Sequence, residues 1–260
     1  MRVALGVEYE GSNFCGWQTQ HEGVRTVQTI LEQAVSKVAN HPVTIIAAGR
    51  TDTGVHAAAQ VIHFDTIATR SSHSWIFGCN ANLPPDVAVL WARPVDKSFH
   101  ARFSAIVRHY RYIIFNRRIR SAIKHRRMTW YCHPLTASKM REAGGYLIGE
   151  HNFSSFRATA CQAKSPIRNV YRLEVTQQVD CIIIDISANG FLHHMVRNIA
   201  GVLMTIGKGD QPPYWAAEVL QAQCRSLGGI TAPPDGLYLL GVDYPDRFNL
   251  PRFSAPAVIW

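Results

Sequence analysis

No run in this 260-residue chain approaches the roughly 20 apolar residues that a membrane-spanning helix requires. The six cysteines, Cys15, Cys79, Cys132, Cys161, Cys181 and Cys224, include no CxxC pair and no zinc-like spacing, so they predict reduced thiols rather than a metal or redox centre. The N-terminal MRVALGVEYEG lacks the long apolar core and small-residue cleavage site of a secretion signal, and a soluble cytoplasmic protein is the expectation. No low-complexity linker interrupts the chain, and no GxxxxGK[ST] pattern offers a phosphate-binding loop. Acidic residues are scarce: 18 Asp and Glu face 27 Lys and Arg, a formal charge of +9 that favours a polyanionic partner, nucleic acid first. Ordinary basic solubility is the alternative. With 47% apolar and 17% charged residues the chain has the material for a substantial core.

VALGVEYEG predicts a strand, followed by a loop, GSNFCGWQTQHEGVR, with more glycine and aromatic residues than a short turn needs. Thr26 is the predicted N-cap of a helix whose Val27, Ile30, Leu31, Ala34, Val35 and Val38 keep helical spacing. PVTIIAAG reads as a buried strand and QVIHFDT as its partner, which makes GRTDTGVHA the connection between two sheet elements. A helix over Ser72 to Asn82 and the strand VAVLWARPV complete a first α/β half. The strand in HYRYIIFN puts Tyr110, Tyr112 and Ile114 on one face, and Arg117 to Met128 forms an exposed basic loop suited to tracking phosphates. The second half predicts a helix from about Ala137 to Ile148 closed by Gly149, then strands NVYRLEVTQ and CIIIDISAN. A helix from near Phe191 follows, burying Met195, Val196, Ile199, Val202, Leu203 and Ile206, with His193 and Arg197 on another face and Arg197 open for other work. A last helix, Pro213 to Gln223, and the strand GLYLLGVDY finish the pattern. The division is thus 1–103, 104–246 and an irregular extension 247–260.

In GRTDTGVH, Gly49 and Gly54 permit sharp turns, and Arg50 lies two residues from Asp52. The Asp52 carboxylate is a candidate nucleophile or base. Its side chain could equally close an Asx-turn. A metal site from Asp52, His56, His63 and Asp65 fits no familiar ligand spacing. Tyr110 and Tyr112 offer faces for base stacking or simple core packing. Arg50, Arg102, Arg197 and Lys164, joined by Arg157 and Arg168, could converge on one basic surface.

Nine ordered segments, GWQTQ, TVQ, GRTDTGVHA, NANLP, FHARFSA, YRYIIFN, NFSSFR, HHMVRNIAG and GLYLLGVDYPDR, resemble the tRNA pseudouridine synthase A family from residue 1 to about 250. The resemblance implies an α+β fold, two similar α/β halves with mostly antiparallel sheets around a central basic cleft. It implies isomerisation of uridine to pseudouridine at positions 38, 39 and 40 of the tRNA anticodon arm by a homodimer without metal or cofactor. Asp52 then corresponds to the catalytic nucleophile, Tyr110 to the residue on the target base and Arg50 to the arginine of base flipping. Phe99, His100, Arg102 and Phe103 match a strip that touches tRNA, as does Ala160 to Lys164, and Arg168 joins the RNA-binding set. Arg197, Leu237 and Leu239 match positions lining the catalytic cleft. Two departures are Thr19, where a basic residue is usual, and Thr53, where alanine is usual. Two rivals are an RNA-binding module without catalysis and a metal-dependent hydrolase using Asp52 and His56.

Overall fold

The computed structural model describes residues 1–251. In chain order it holds β1 (Arg2–Tyr9), α1 (Val27–Ala39), β2 (Ile46–Ala47), β3 (His56–Asp65), α2 (Ser72–Asn80), β4 (Val87–Val95), β5 (Val107–Asn116), β6 (Thr129–Tyr131), α3 (Ala137–Gly145), β7 (Gly149–Asn152), β8 (Ile167–Gln178), β9 (Cys181–Ala188), α4 (Met195–Lys208), α5 (Trp215–Ala222) and β10 (Leu237–Asp243). It is a mixed α/β fold whose strand pairs are mostly antiparallel. No described helix is long and apolar enough to cross a membrane.

Contacts group Met1–Arg108 with the segment from Tyr238 as one unit and His109–Leu237 as another. This differs from a linear division at 103 and 246, because β10 runs parallel to β3, with Tyr238 opposite His56 and Leu239 opposite Ala57. Of the extension, residues 252–260 lie outside the described residues.

In the first unit the strand order is β4-β1-β3-β10, with β2 on β3. Thr26 caps α1 by accepting from the Thr29 amide at 3.3 Å, and Ser71 caps α2 through Ser74 at 3.0 Å. The two helices pack together, α2 lies on β4, and Leu5, Leu31, Ile62, Phe64 and Trp75 are wholly buried. Each such side chain contributes about 1.5–3 kcal/mol of burial. PVTIIAAG, by contrast, forms only a two-residue strand. The Val43 and Ile45 amides donate instead to Ser36 Oγ and Glu32 Oε1 at 2.9 and 3.1 Å, so α1 side chains replace most of the sheet ladder.

In the second unit the order is β5-β9-β8-β7, with β6 parallel to β5. Ile182, Ile184, Ile186 and Ala188 alternate inward along β9. Helix α3 stops at Gly145, short of Ile148: two consecutive glycines weaken the helix there, and Gly149, at φ +106°, opens β7. Helix α4 begins at Met195 rather than Phe191, because His194 holds a left-handed φ of +62°. His193 therefore lies outside the helix and shares no helical face with Arg197. The six apolar positions predicted for this helix are all buried.

Candidate active site

The GRTD loop leaves the sheet just after β2, where the Ala48 amide still donates to Val61 O at 2.8 Å. Buried side chains then hold it. Gln60 Nε2 donates to Gly49 O at 2.7 Å, and the Tyr9 hydroxyl shares a 2.8 Å hydrogen bond with Thr51 Oγ1. Burial pushes the Tyr9 phenol up to about 12, so it stays neutral at physiological pH. The Trp17 amide donates to Thr51 O at 3.0 Å, and the Gly54 amide to Phe14 O at 3.3 Å. The turn after the aspartate is closed by the backbone, Val55 N donating to Asp52 O at 3.1 Å.

At two points around this loop a glycine takes a left-handed φ. Gly54 has φ +80°, whereas Gly49 keeps an ordinary φ and is not the second hinge of the turn. Gly16, at φ +85°, passes so close that a Cβ there would meet Thr51 O at 2.9 Å. The aromatic- and glycine-rich segment 11–17 is thus the scaffold of the loop. Asp52 is half-buried at its tip, and Arg50 is exposed, with no hydrogen bond or ion pair among the described residues.

His56 is buried, accepts from the Gly11 amide at 2.9 Å through Nδ1 and stacks on Tyr238 with ring centres 4.5 Å apart. His63 accepts from the Ala101 amide at 3.1 Å, and Asp65 pairs with Arg2 at 2.7 Å. These three members of the metal reading are therefore committed to protein partners.

The FHARF segment follows β4. Phe99 is fully buried against His63, Tyr244 and Phe248, so its ring anchors the strip and is not part of its exposed face. Phe103 is 76% exposed, with the Arg102 guanidinium 5.6 Å from its ring centre and His100 4.3 Å away. His100 Nδ1 accepts from the Arg102 and Phe103 amides, both at 3.2 Å. Arg108, which the sequence reading passes over, donates to Arg102 O at 2.6 Å and to Ala48 O at 3.2 Å. It ties this strip to the root of the GRTD loop. A lone arginine in an exposed-looking strand carries no local signal of that role.

In the second unit Tyr110 is nearly buried, its ring edge-on to Phe191 at 5.0 Å. Tyr112 is a core residue instead of a stacking face: its hydroxyl shares a 2.6 Å bond with Thr129 Oγ1 and donates to Pro233 O at 2.8 Å, and burial raises its pKa. Arg197 is not open for other work through Nε, which donates to Ala232 O at 2.8 Å while Arg197 O accepts the Ala232 amide at 3.1 Å. Starting α4 at Met195 puts Arg197 in the first turn, where Ala232 can reach it. Lys164 is exposed, and Arg168 curls onto its own loop, donating to Ser165 O at 2.9 Å. Leu239 is wholly buried, so it belongs to the core rather than to a surface that meets a base, while Leu237 retains 5% exposure.

A family model described as tRNA pseudouridine synthase matches residues 6–104 and 143–245. The tRNA pseudouridine synthase A of Nitrosococcus oceani is 71% identical over 260 residues, all of both chains. The chain belongs to the tRNA pseudouridine synthase A family. Among other family members, the Methylococcus capsulatus protein of that name is 56% identical over 253 residues, covering 97% of this chain and 93% of its own. The Pseudomonas aeruginosa protein is 54% identical over 256 residues, 98% of this chain and 90% of its own. Asp52, Arg50 and Arg102 fall inside the first family-matched stretch and Lys164, Arg168 and Arg197 inside the second, whereas Tyr110 falls between them.

Proposed function

We propose that this protein isomerises uridine to pseudouridine at positions 38, 39 and 40 in the anticodon arm of tRNA, using Asp52 as the nucleophilic carboxylate. The observation that carries the reading is the GRTD loop. Hydrogen bonds with Tyr9, Trp17, Phe14 and Gln60 anchor it, so the half-buried Asp52 is presented from a rigid base. Such preorganisation serves a reaction that needs one well-placed group more than a cofactor. The glycosidic bond from N1 to C1′ breaks and a bond from C5 to C1′ forms. The C5 proton leaves and N1 takes one up, so the change is redox-neutral.

The target base must first leave its stack, at a cost of a few kcal/mol. Arg50, exposed beside Asp52, is suited to grip the backbone or fill the vacated position. Tyr110 supplies a flat face for the uracil and Leu237 an apolar neighbour, with Arg197 near the substrate. Arg102, Phe103 and His100 form a cationic and aromatic strip for RNA; Lys164 is a further RNA contact, and Arg168 shapes its own loop by donating to Ser165 O. Two separate matches to one family model support reading the chain as two related halves. The working form in this reading is a cytoplasmic homodimer bound to tRNA.

Mapping pseudouridine in tRNA from a strain lacking the gene tests the assignment. Restoring the gene should return pseudouridine at 38, 39 and 40, and uridine persisting at all three positions contradicts it.

A further inference from the structure

The net charge of this chain is not spread over it. From Lys97 to Arg141 there are twelve lysines and arginines and no aspartate or glutamate, while the rest of the chain carries 15 basic against 18 acidic residues. A positive charge kept only for solubility would have no reason to be segregated in this way. The densest part is 117–127, between β5 and β6, with Arg117, Arg118, Arg120, Lys124, Arg126 and Arg127.

This segment is held rather than merely exposed. Trp130 Nε1 donates to Arg117 O at 2.8 Å, and Arg117 Nε donates to Ile119 O at 3.0 Å. Arg117 and Lys124 lie over the Phe115 ring at 4.8 and 5.1 Å. Asn116, at the root, donates to Tyr131 O and His133 O at 3.0 and 2.7 Å. Beside the root is a cavity of about 470 Å³ lined by Asn116, Arg117, Arg118, Cys132, His133 and Pro134. It is large enough for a phosphate and its sugar and is walled by two guanidinium groups. Arg118, Arg120, Arg126 and Arg127 are all exposed. The intervening side chains Ile119 and Ile123 are also exposed, at 66% and 91%, so the segment buries little of its own apolar surface.

We propose that residues 117–127 and the adjoining cavity form a separate grip on the tRNA sugar–phosphate backbone, indifferent to base identity. The inference rests on the pseudouridine synthase reading, since Tyr110 marks the target base. From Tyr110, β5 continues six residues to Asn116, about 20 Å at ~3.3 Å per residue. The grip thus lies about 20 Å from the residue that marks the target base, too far to touch the reacting atoms. It therefore supplies affinity and register, and none of the chemistry.

The test is the triple variant R118A/R120A/R127A, assayed on full-length tRNA across a salt series. KM should rise about tenfold or more with kcat within about twofold, and the plot of log affinity against log salt should flatten by about two to three, at ~0.7–0.9 per lost phosphate contact. The variant R118K/R120K/R127K should recover most of the slope. An unchanged KM and slope in the alanine variant overturn the proposal. If the triple variant melts early, Arg118→Ala and Arg120→Ala measured singly should each lower the slope by about one, and no change in either is equally fatal. Wild-type protein that forms no pseudouridine would sink the function itself, a different outcome from an active enzyme indifferent to this segment.

Discussion

Replacing Gly11 by alanine would place a Cβ 2.0 Å from Val55 O, 2.4 Å from Val55 C and 3.1 Å from the His56 amide nitrogen. These are backbone atoms, so no side-chain rotation relieves the clash. Bringing the 2.0 Å contact out to an ordinary distance of at least 3.0 Å requires a relative shift of about 1 Å between the 11–17 segment and the turn that ends the GRTD loop. Overpacking of this kind costs about 1–3 kcal/mol. A 1 Å misplacement at a catalytic group costs about 10²-fold in rate. Gly11→Ala should therefore lower single-turnover pseudouridine formation by about 100-fold while tRNA affinity changes little, because Arg102 and Phe103 lie on a different segment. The control is Gly23→Ala. Gly23 has a left-handed φ of +85°, which Gly11 does not, yet nothing lies within 4 Å of its Cβ position. That change should cost about 1 kcal/mol of backbone strain and leave turnover unchanged. Turnover in Gly11→Ala within about threefold of wild type, with an unchanged melting temperature, would refute the claim that this packing positions Asp52.

Tyr9→Phe removes the buried bond to Thr51 and should destabilise the fold by about 1–2 kcal/mol, read by denaturant unfolding. In wild type the Tyr9 phenol is raised from 10.0 to about 12, so its stabilisation is complete below pH 10 and lost as pH rises through 12; the phenylalanine variant should lack this alkaline step. His63 is depressed from 6.5 to about 4, chiefly by burial, so its contribution is present above pH 6.5 and lost as pH falls through 4. His63→Asn, which keeps an acceptor for the Ala101 amide, should flatten melting temperature against pH in that window, and an unaltered profile would contradict the assignment. Arg50→Ala should reduce kcat far more than tRNA affinity, since flipping follows docking; equal losses in a paired binding and rate measurement would exclude the flipping role.

Local patterns carried most of the elements. Thr26 and Ser71 announce their helices because a cap acts within three residues, and the alternation of β9 is visible because one face of it is buried. Where distant groups intervene, local patterns mislead. PVTIIAAG has the composition of a strand, yet α1 side chains take its amides, and the helix drawn from Phe191 begins four residues later behind a left-handed histidine. The candidate site divides in the same way. Asp52 and Arg50 stand out through the GRTD motif and its family resemblance, not through spacing, which equally suits an Asx-turn. Their scaffold is non-local: Tyr9 reaches Thr51 across 42 residues and Arg108 reaches Ala48 across 60. Phe99 and Leu239 matched family positions by sequence, but sequence cannot say whether a matched side chain faces solvent or core, and here both face the core.

Tritium release from C5-labelled uridine in tRNA by the Asp52→Ala variant bears most directly on the whole account. Release should fall to background while tRNA affinity and melting temperature stay close to wild type. Release that continues at a substantial fraction of the wild-type rate would remove Asp52 as the nucleophile.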